Sequence, residues 1–288
     1  MKEVYQNISL LTICKLFGKS RQAWYHIQEH KDQKAIKYEL VLEKVRKIRT
    51  DMPKIGGIKL HFMLKNFLEL HDIDLGRDAL FTMLRENNML IKQKKRYART
   101  TNSHHHFKIW PDLVQRKESK RAEQIWVSDI TYLRTKKGFI YLSLVTDAYS
   151  RKIVGYNLSR DLKAFSCIKA FKMAFNSRIF PDRSLIHHSD RGIQYCCDEY
   201  VKLLKQSNIK ISMTQDGNPY DNAIAERVNG ILKVEFDLYQ TFGNFNEAII
   251  AVDMAIAKYN NIRPHFSCEL QTPQQKHNIV LKKELETI

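Results

Sequence analysis

The sequence predicts an α/β body preceded by an all-α region, on three observations. Apolar residues fall at helical spacing before residue 90, in Ile36, Leu40, Val41, Val45 and Ile48, then from Ile58 to Leu70 and from Gly76 to Asn87. From Ile125 the period drops to two, through three runs joined by short connections, as an antiparallel meander requires. After Leu162 helical and extended patterns alternate, which lays helices on a sheet instead of closing an all-β fold.

At 288 residues, with 43% hydrophobic side chains, the chain can build about two domains with real cores. The formal charge of +17 is unevenly placed. Residues 1–120 carry 25 Lys and Arg against 13 Asp and Glu, a balance of +12, while residues 121–288 carry 23 against 18, or +5. An excess of this size favours a polyanionic partner, because Lys and Arg displace condensed counterions from phosphates. Cys14, Cys167, Cys196, Cys197 and Cys268 form no C-x-x-C pair, which argues against a disulfide framework or zinc ribbon and fits a reducing cytosol. No run approaches ~18 uncharged apolar residues and no signal-peptide core opens the chain, so a soluble, cytoplasmic protein with no membrane partner is expected.

In chain order, Leu10 to Phe17 is a short apolar run, Gly18-Lys19 interrupts it, and Ser20 is a fitting N-cap for a helix reaching about His30. This helix-turn-helix-like pattern precedes a separate helix over 36–50 and the helical pair over 58–70 and 76–87. The apolar stripes are core; Lys15, Lys19, Arg21, Lys59, Lys65, Arg77 and Arg85 are candidates for phosphate contact. From Lys92 to Arg99 five of eight residues are basic and no apolar period survives. Lys92, Lys94, Lys95, Arg96 and Arg99 are therefore expected to lie along a DNA backbone. His104-His105-His106 lacks the Cys or spaced His partners of a metal site and reads as solvated loop.

Strands are expected over Ile125 to Leu133, Gly138 to Val145 and Lys152 to Leu158, with Asp147-Ala148-Tyr149-Ser150-Arg151 as the second turn. A helix from Leu162 to about Asn176 presents Phe165, Ile168, Phe171 and Phe175. A strand over Ser184 to His188, a helix over Glu199 to Ser207 and a strand over Ile209 to Met213 follow. Gly217-Asn218-Pro219 breaks the chain, and a helix starts near Asp221. On it Ile224, Val228, Ile231 and Leu232 form an apolar stripe, while Asn222, Glu226, Asn229 and Lys233 share another face.

Three carboxylates stand out along this body. Asp129 sits mid-strand, where Asp is depleted, Asp190 follows the fourth strand after 60 intervening residues, and Glu226 comes after 35 more. A helical Glu is most often an ordinary surface residue. Brought together, however, the three would repel one another unless a hard divalent cation neutralised them. Two such cations about 3.5–4 Å apart suit phosphodiester chemistry, since they stabilise both the attacking and the leaving oxygen.

The motifs Trp126-Val127-Ser128-Asp129-Ile130-Thr131-Tyr132, Gly138-Phe139-Ile140-Tyr141-Leu142, Asp147 to Gly155, His188-Ser189-Asp190-Arg191-Gly192, Asp221 to Glu226 and Tyr259-Asn260-Asn261-Ile262-Arg263-Pro264-His265 resemble those of second-frame (OrfB) insertion-sequence transposases of the IS-three family. The resemblance spans roughly residues 10–275 and implies a retroviral-integrase-like DDE core. It further implies a ribonuclease H-like, five-stranded mixed sheet flanked by helices, with Asp129 on the first strand, Asp190 after the fourth and Glu226 on a later helix. Lys233 matches the basic residue the family keeps beside its acidic triad. By the same resemblance, Asp129, Asp190 and Glu226 bind two Mg²⁺ ions, for which Mn²⁺ substitutes. They cleave DNA strands and join them, without a covalent protein intermediate. Arg227 and Arg263 join the linker residues as expected DNA contacts, and His188 is either a phosphate neighbour or a structural donor. The segment Ile55-Gly56-Gly57-Ile58-Lys59-Leu60 departs from the more aromatic and arginine-rich version of relatives. The absence of a paired His and Cys module argues against zinc.

The organisation expected is a helical DNA-binding region over 1–91, a basic linker over 92–121, and the catalytic core with C-terminal helices over 122–288. The partners implied are double-stranded DNA, as element ends and target, an upstream-frame OrfA-type product or its fusion, and further copies of the chain on DNA in the bacterial nucleoid. The competing reading is a non-catalytic DNA-binding regulator with a decayed nuclease-like body, against which the intact triad speaks.

Overall fold

The computed structural model describes residues 8–91, 106–115, 118–215 and 222–285, without the side chains of 280–285. Lys92, Lys94, Lys95, Arg96 and Arg99, with His104, His105 and Asp221, lie outside the described residues. The described chain falls into two compact units, one within 1–50 and 60–90 and the other within 51–59 and 91–288.

The first unit is helical. α1 (Leu10–Leu16) ends before Gly18, whose φ of +61° is a turn conformation that side chains resist. α2 (Arg21–Asp51) starts where the Ser20 hydroxyl accepts from the Ala23 N–H at 3.0 Å. It runs unbroken for 31 residues, merging the two helices expected at 20–30 and 36–50. No Gly or Pro separates them, and the charged stretch between them is helix-competent. α3 (Gly57–Leu70) and α4 (Arg77–Glu86) then form the expected pair. Val41, Val45, Leu60, Leu64, Leu80 and Leu84 are buried at three- and four-residue intervals, so one stripe from each helix makes the core.

The second unit is built on β1 (Ile125–Thr135), β2 (Gly138–Asp147) and β3 (Ile153–Ser159), an antiparallel meander. α5 (Ala164–Asn176) covers it, and β4 (Ile186–Ser189) returns parallel to β1 on its other edge. α6 (Ile193–Cys196) and α7 (Asp198–Gln206) lead to β5 (Lys210–Met213), parallel to β4. The order is β3-β2-β1-β4-β5, a mixed α/β sheet of the ribonuclease H-like kind. α8 (Ala223–Glu235) follows, then β6 (Thr241–Phe242), α9 (Phe245–Asn261) and α10 (Pro273–Leu285). β6 makes a sixth strand where five were expected, pairing in parallel with Arg134 and Thr135. Two residues are too short to show an alternating pattern.

Alternation along β1 separates two cores. Trp126 packs with Phe171, Tyr200 and Met213, while Ile125 and Val127 pack with Ala148 and Ala225. α5 lies so close to β3 that a Cβ on Gly155 would come within 2.1 Å of the Ala170 carbonyl oxygen. All five cysteines are free thiols, and among the described residues no helix is long and apolar enough to cross a membrane.

Candidate active site

β1 is central in the sheet, and Asp129 sits halfway along it. The β1–β4 register pairs Ser128 with Ser189, so Asp129 on β1 and Asp190, the first residue past the end of β4, follow at neighbouring positions. α8 closes the site from the side of Ala225. Its first residues are tied to β1 by the buried Asn222, whose amide donates to the Ser128 carbonyl at 3.1 Å. One turn on, Glu226 is exposed, and the Asn229 amide donates to Asp129 Oδ2 at 2.7 Å. Asp190 Oδ1 accepts from the Gly192 N–H at 3.0 Å.

Asp129 and Asp190 are held away from their ordinary acidity. Asp129 is pushed up to about 7, first by burial and next by the negative charge of Asp190, with Glu226 adding to it and the Asn229 amide opposing. Burial also raises Asp190, against the Gly192 N–H. Lys233, two turns after Glu226, is half-buried; desolvation lowers it and Asp129 draws it back up. Its ammonium stands 5.7 Å from the ring centre of Tyr132 and 6.0 Å from that of Tyr239. Arg227 is exposed beside Glu226. Among the described residues no three His, Cys, Asp or Glu side chains stand close enough to enclose one metal ion. The donors are nonetheless of the kind a hard cation takes: carboxylate oxygens, with Asp129 raised first by burial and then by the charge of Asp190.

Other expected contacts sit elsewhere. Arg263 is only 1% exposed, and its guanidinium grips Glu235 through Nε at 2.7 Å and Nη2 at 2.8 Å, so it does not reach DNA. Lys59, also buried, donates to the same Glu235 at 2.8 Å and is likewise removed from phosphate contact. A single buried carboxylate needs both cations, and it draws them from residues 176 and 28 positions away. His188 is structural: buried, with Nδ1 2.8 Å from the Ser212 hydroxyl. Lys15, Lys19, Arg21, Lys65, Arg77 and Arg85 are exposed.

The sequence reading missed the polar supports under the site. Glu235 gave no signal, being a helix-end glutamate like many others. His187 shares Nε2 with the hydroxyls of Ser128 and Tyr200, at 2.8 and 2.9 Å, and burial pushes it down to about 3. Asp147 accepts from Ser150, whose Oγ is 2.9 Å from His277 Nδ1, binding α10 to the end of β2. The Asp-Ala-Tyr-Ser turn was the one available hint, since Asp readily accepts from a backbone N–H three residues on.

Two models described as integrase core domain match, over residues 119–219 and 207–273. A 31 kDa protein of the insertion element IS600 from Shigella sonnei is 37% identical over 258 residues, 88% of this chain and 93% of that protein. The transposase InsF of insertion sequence IS3A from Escherichia coli is 33% identical over 68% of each chain. Among solved structures, the HTLV-2 integrase catalytic core domain in complex with magnesium is similar at 20% identity and a TM-score of 0.44, over 55% of this chain and 98% of that one. With identity at this level across almost the whole of the IS600 protein and two thirds of InsF, the chain belongs to the IS3-family insertion-sequence transposases and is a DDE transposase with an integrase core.

Proposed function

We propose that Asp129, Asp190 and Glu226 hold two divalent cations, Mg²⁺ in the cell, and that at this centre the chain cuts DNA at the element ends and joins the freed ends to target DNA. The observation that carries the reading is geometric: the β1–β4 register sets Asp190 beside Asp129 under α8, whose Asn229 amide donates to Asp129 Oδ2 at 2.7 Å, and burial, then Asp190, push the Asp129 carboxyl up to about 7. A carboxylate cluster that disfavours its own ionisation is stabilised by a cation. Bound there, a divalent cation would supply Lewis-acid polarisation of the phosphodiester and activation of the attacking hydroxyl or water. The protein's part is placement. Asn229 fixes the Asp129 carboxylate, Gly192 fixes Asp190, and Lys233 brings positive charge beside Asp129 for the phosphate. Exposed Arg227 takes the DNA backbone next to Glu226. No side-chain nucleophile is required.

The helical region over 1–91 and the linker cations Lys92, Lys94, Lys95, Arg96 and Arg99 extend the DNA contact upstream of a core over 122–288. End recognition rests on an OrfA-type upstream product or its fusion, on several copies assembled on DNA, in the bacterial cytoplasm. Sequence-specific complexes exceed non-specific ones by about 10³ or more, a margin not expected of the exposed first turns of α2 alone. The test is cleavage and joining of labelled DNA bearing the element's ends, with Mg²⁺, by the chain alone and fused to the upstream product. The fusion is expected to cut at the ends and the lone chain to bind without preference. Metal-independent cutting would sink the metal assignment, and end-specific cutting by the lone chain would sink the two-part assembly.

A further inference from the structure

An aromatic and cationic strip leaves the acidic centre and runs to the tip of the β1–β2 hairpin. Lys233, beside Asp129, lies over Tyr132 and Tyr239 at 5.7 and 6.0 Å. Tyr132 meets Phe139 edge to face at 6.1 Å, and the Arg134 guanidinium lies 5.2 Å from the Phe139 ring centre. β6 keeps the segment after α8 against this hairpin, through its pairing with Arg134 and Thr135 and the Lys136 N–H to Phe242 carbonyl bond at 2.9 Å. Tyr239 and the hairpin therefore share one surface.

Two of these rings are where a soluble surface has no need of them: Phe139 is 53% exposed and Tyr239 is 51% exposed. The surroundings are cationic as well. Residues 130–146 include Arg134, Lys136 and Lys137 and no acidic residue. The acids preceding Tyr239 are already engaged, Glu235 by Lys59 and Arg263 and Asp237 by Lys54. Exposed π-faces threaded with cations fit one chemistry well, that of a strand whose bases are unstacked and whose phosphates need charge. Paired DNA offers its phosphates but hides its base faces.

We propose that this strip is a stacking platform for unpaired nucleotides at the tip of a DNA end, holding the strand open beside the carboxylates. The inference rests on the proposed reading of the site. Phe139 and Tyr239 receive base faces, while Lys233 and Arg134 face the adjoining phosphates.

The probe is a short duplex with an unpaired 3′ tail carrying 2-aminopurine, compared with the same duplex blunt, at near-physiological salt and without divalent metal. The full chain should bind the tailed duplex at least ~10-fold more tightly than the blunt one and quench the fluorophore, as stacking on an aromatic face does. Phe139→Ala with Tyr239→Ala should lose preference and quenching while binding the blunt duplex unchanged; Phe139→Trp with Tyr239→Phe should keep both. Should the double alanine variant melt early, Phe139→Leu keeps the apolar volume without the π-face and should still lose quenching. Equal affinity of the wild type for both duplexes, or preference retained by the double variant, overturns the proposal. Stacking is read here without metal, so a wild type that shows the preference but fails to cut DNA bearing the element's ends once Mg²⁺ is added refutes the catalytic reading alone.

Discussion

Two glutamates nine positions apart on one helix meet opposite fates. Glu235, at the end of α8, is buried and held below the ordinary carboxylate range by Arg263 and then Lys59, against the cost of desolvation. Glu226, in the first turn, is exposed, and its negative charge raises Asp129. The cations of this part of the protein are spent on the carboxylate that has no chemistry to do. At the other end a cluster of acids keeps neutral donors, one half-buried lysine and the exposed Arg227. Saturated charge is structure; unsaturated charge of one sign is a site waiting for its counter-ion.

The sharpest way to break this contrast is to neutralise the acids one at a time. Asp129→Asn, Asp190→Asn and Glu226→Gln should each reduce cleavage and joining of labelled DNA below detection, with folding and DNA binding kept. Each replacement preserves shape and removes an oxygen charge. Stability should not fall and should rise for Asp129→Asn, because repulsion is removed. A variant that still cuts takes its residue out of the centre.

Treated alike, the other cluster should answer in reverse. Arg263→Met leaves Glu235 buried with Lys59 alone, and loss of one partner from a buried ion pair costs about 3–5 kcal/mol. Arg263→Met with Glu235→Met should recover part of that loss, since two apolar side chains leave no orphaned carboxylate. Urea unfolding monitored by Trp fluorescence reads both. If the single variant is as stable as wild type, the cluster does not anchor α8 and the contrast fails.

Stability against pH sharpens the comparison further. Asp129 titrates at about 7 in the folded chain against an ordinary 3.8, so between those values the folded state binds the extra proton. Stability from this group is therefore full below about pH 4 and is lost as pH rises towards 7, at up to about 1.4 kcal/mol per unit. His187 and His265, pushed down to about 3 mainly by burial, tilt the curve the other way below 6.5. The clean readout is thus wild type minus Asp129→Asn. That difference should fall from pH 4 to 7 without metal and flatten in millimolar Mg²⁺, which also raises the wild-type melting temperature at pH 7.5. A flat difference without metal would mean that neither burial nor the neighbouring carboxylates raise Asp129.

How far this was readable in advance depends on the residue. The meander, the helical pair over 57–70 and 77–86 and the alternation through Asp129 follow from local periodicity, and they lie where the pattern put them. The continuity of α2 was missed because a charged, helix-competent stretch carries no apolar register to count. β6 was too short to signal. In the site, the neighbouring positions of Asp129 and Asp190 depend on β4 lying parallel to β1, a long-range choice that came through resemblance and not through spacing. Arg263 shows the limit plainly. An arginine in a motif reads as a phosphate ligand, and only the fold reveals Glu235 beneath it.

The smallest expected effect concerns Asn229, the neutral support that Glu226's end of the helix has in place of a cation. Its amide is Asp129's hydrogen-bond donor at 2.7 Å and favours the ionised carboxylate. Asn229→Ala should push the pKa of Asp129 up further, because burial and Asp190 then act with less opposition. Partners that orient a metal ligand typically matter ~10–100-fold in affinity or activity. The lower figure fits here, since Asn229 supports one of the three proposed ligands. The loss should be conditional. Cleavage by Asn229→Ala should drop ~10-fold near pH 7 and recover towards wild type as pH rises or Mg²⁺ is increased, since either restores the charge the amide was protecting. A loss independent of both pH and metal would make Asn229 a packing residue of α8, and the electrostatic account of that end of the helix would have to be given up.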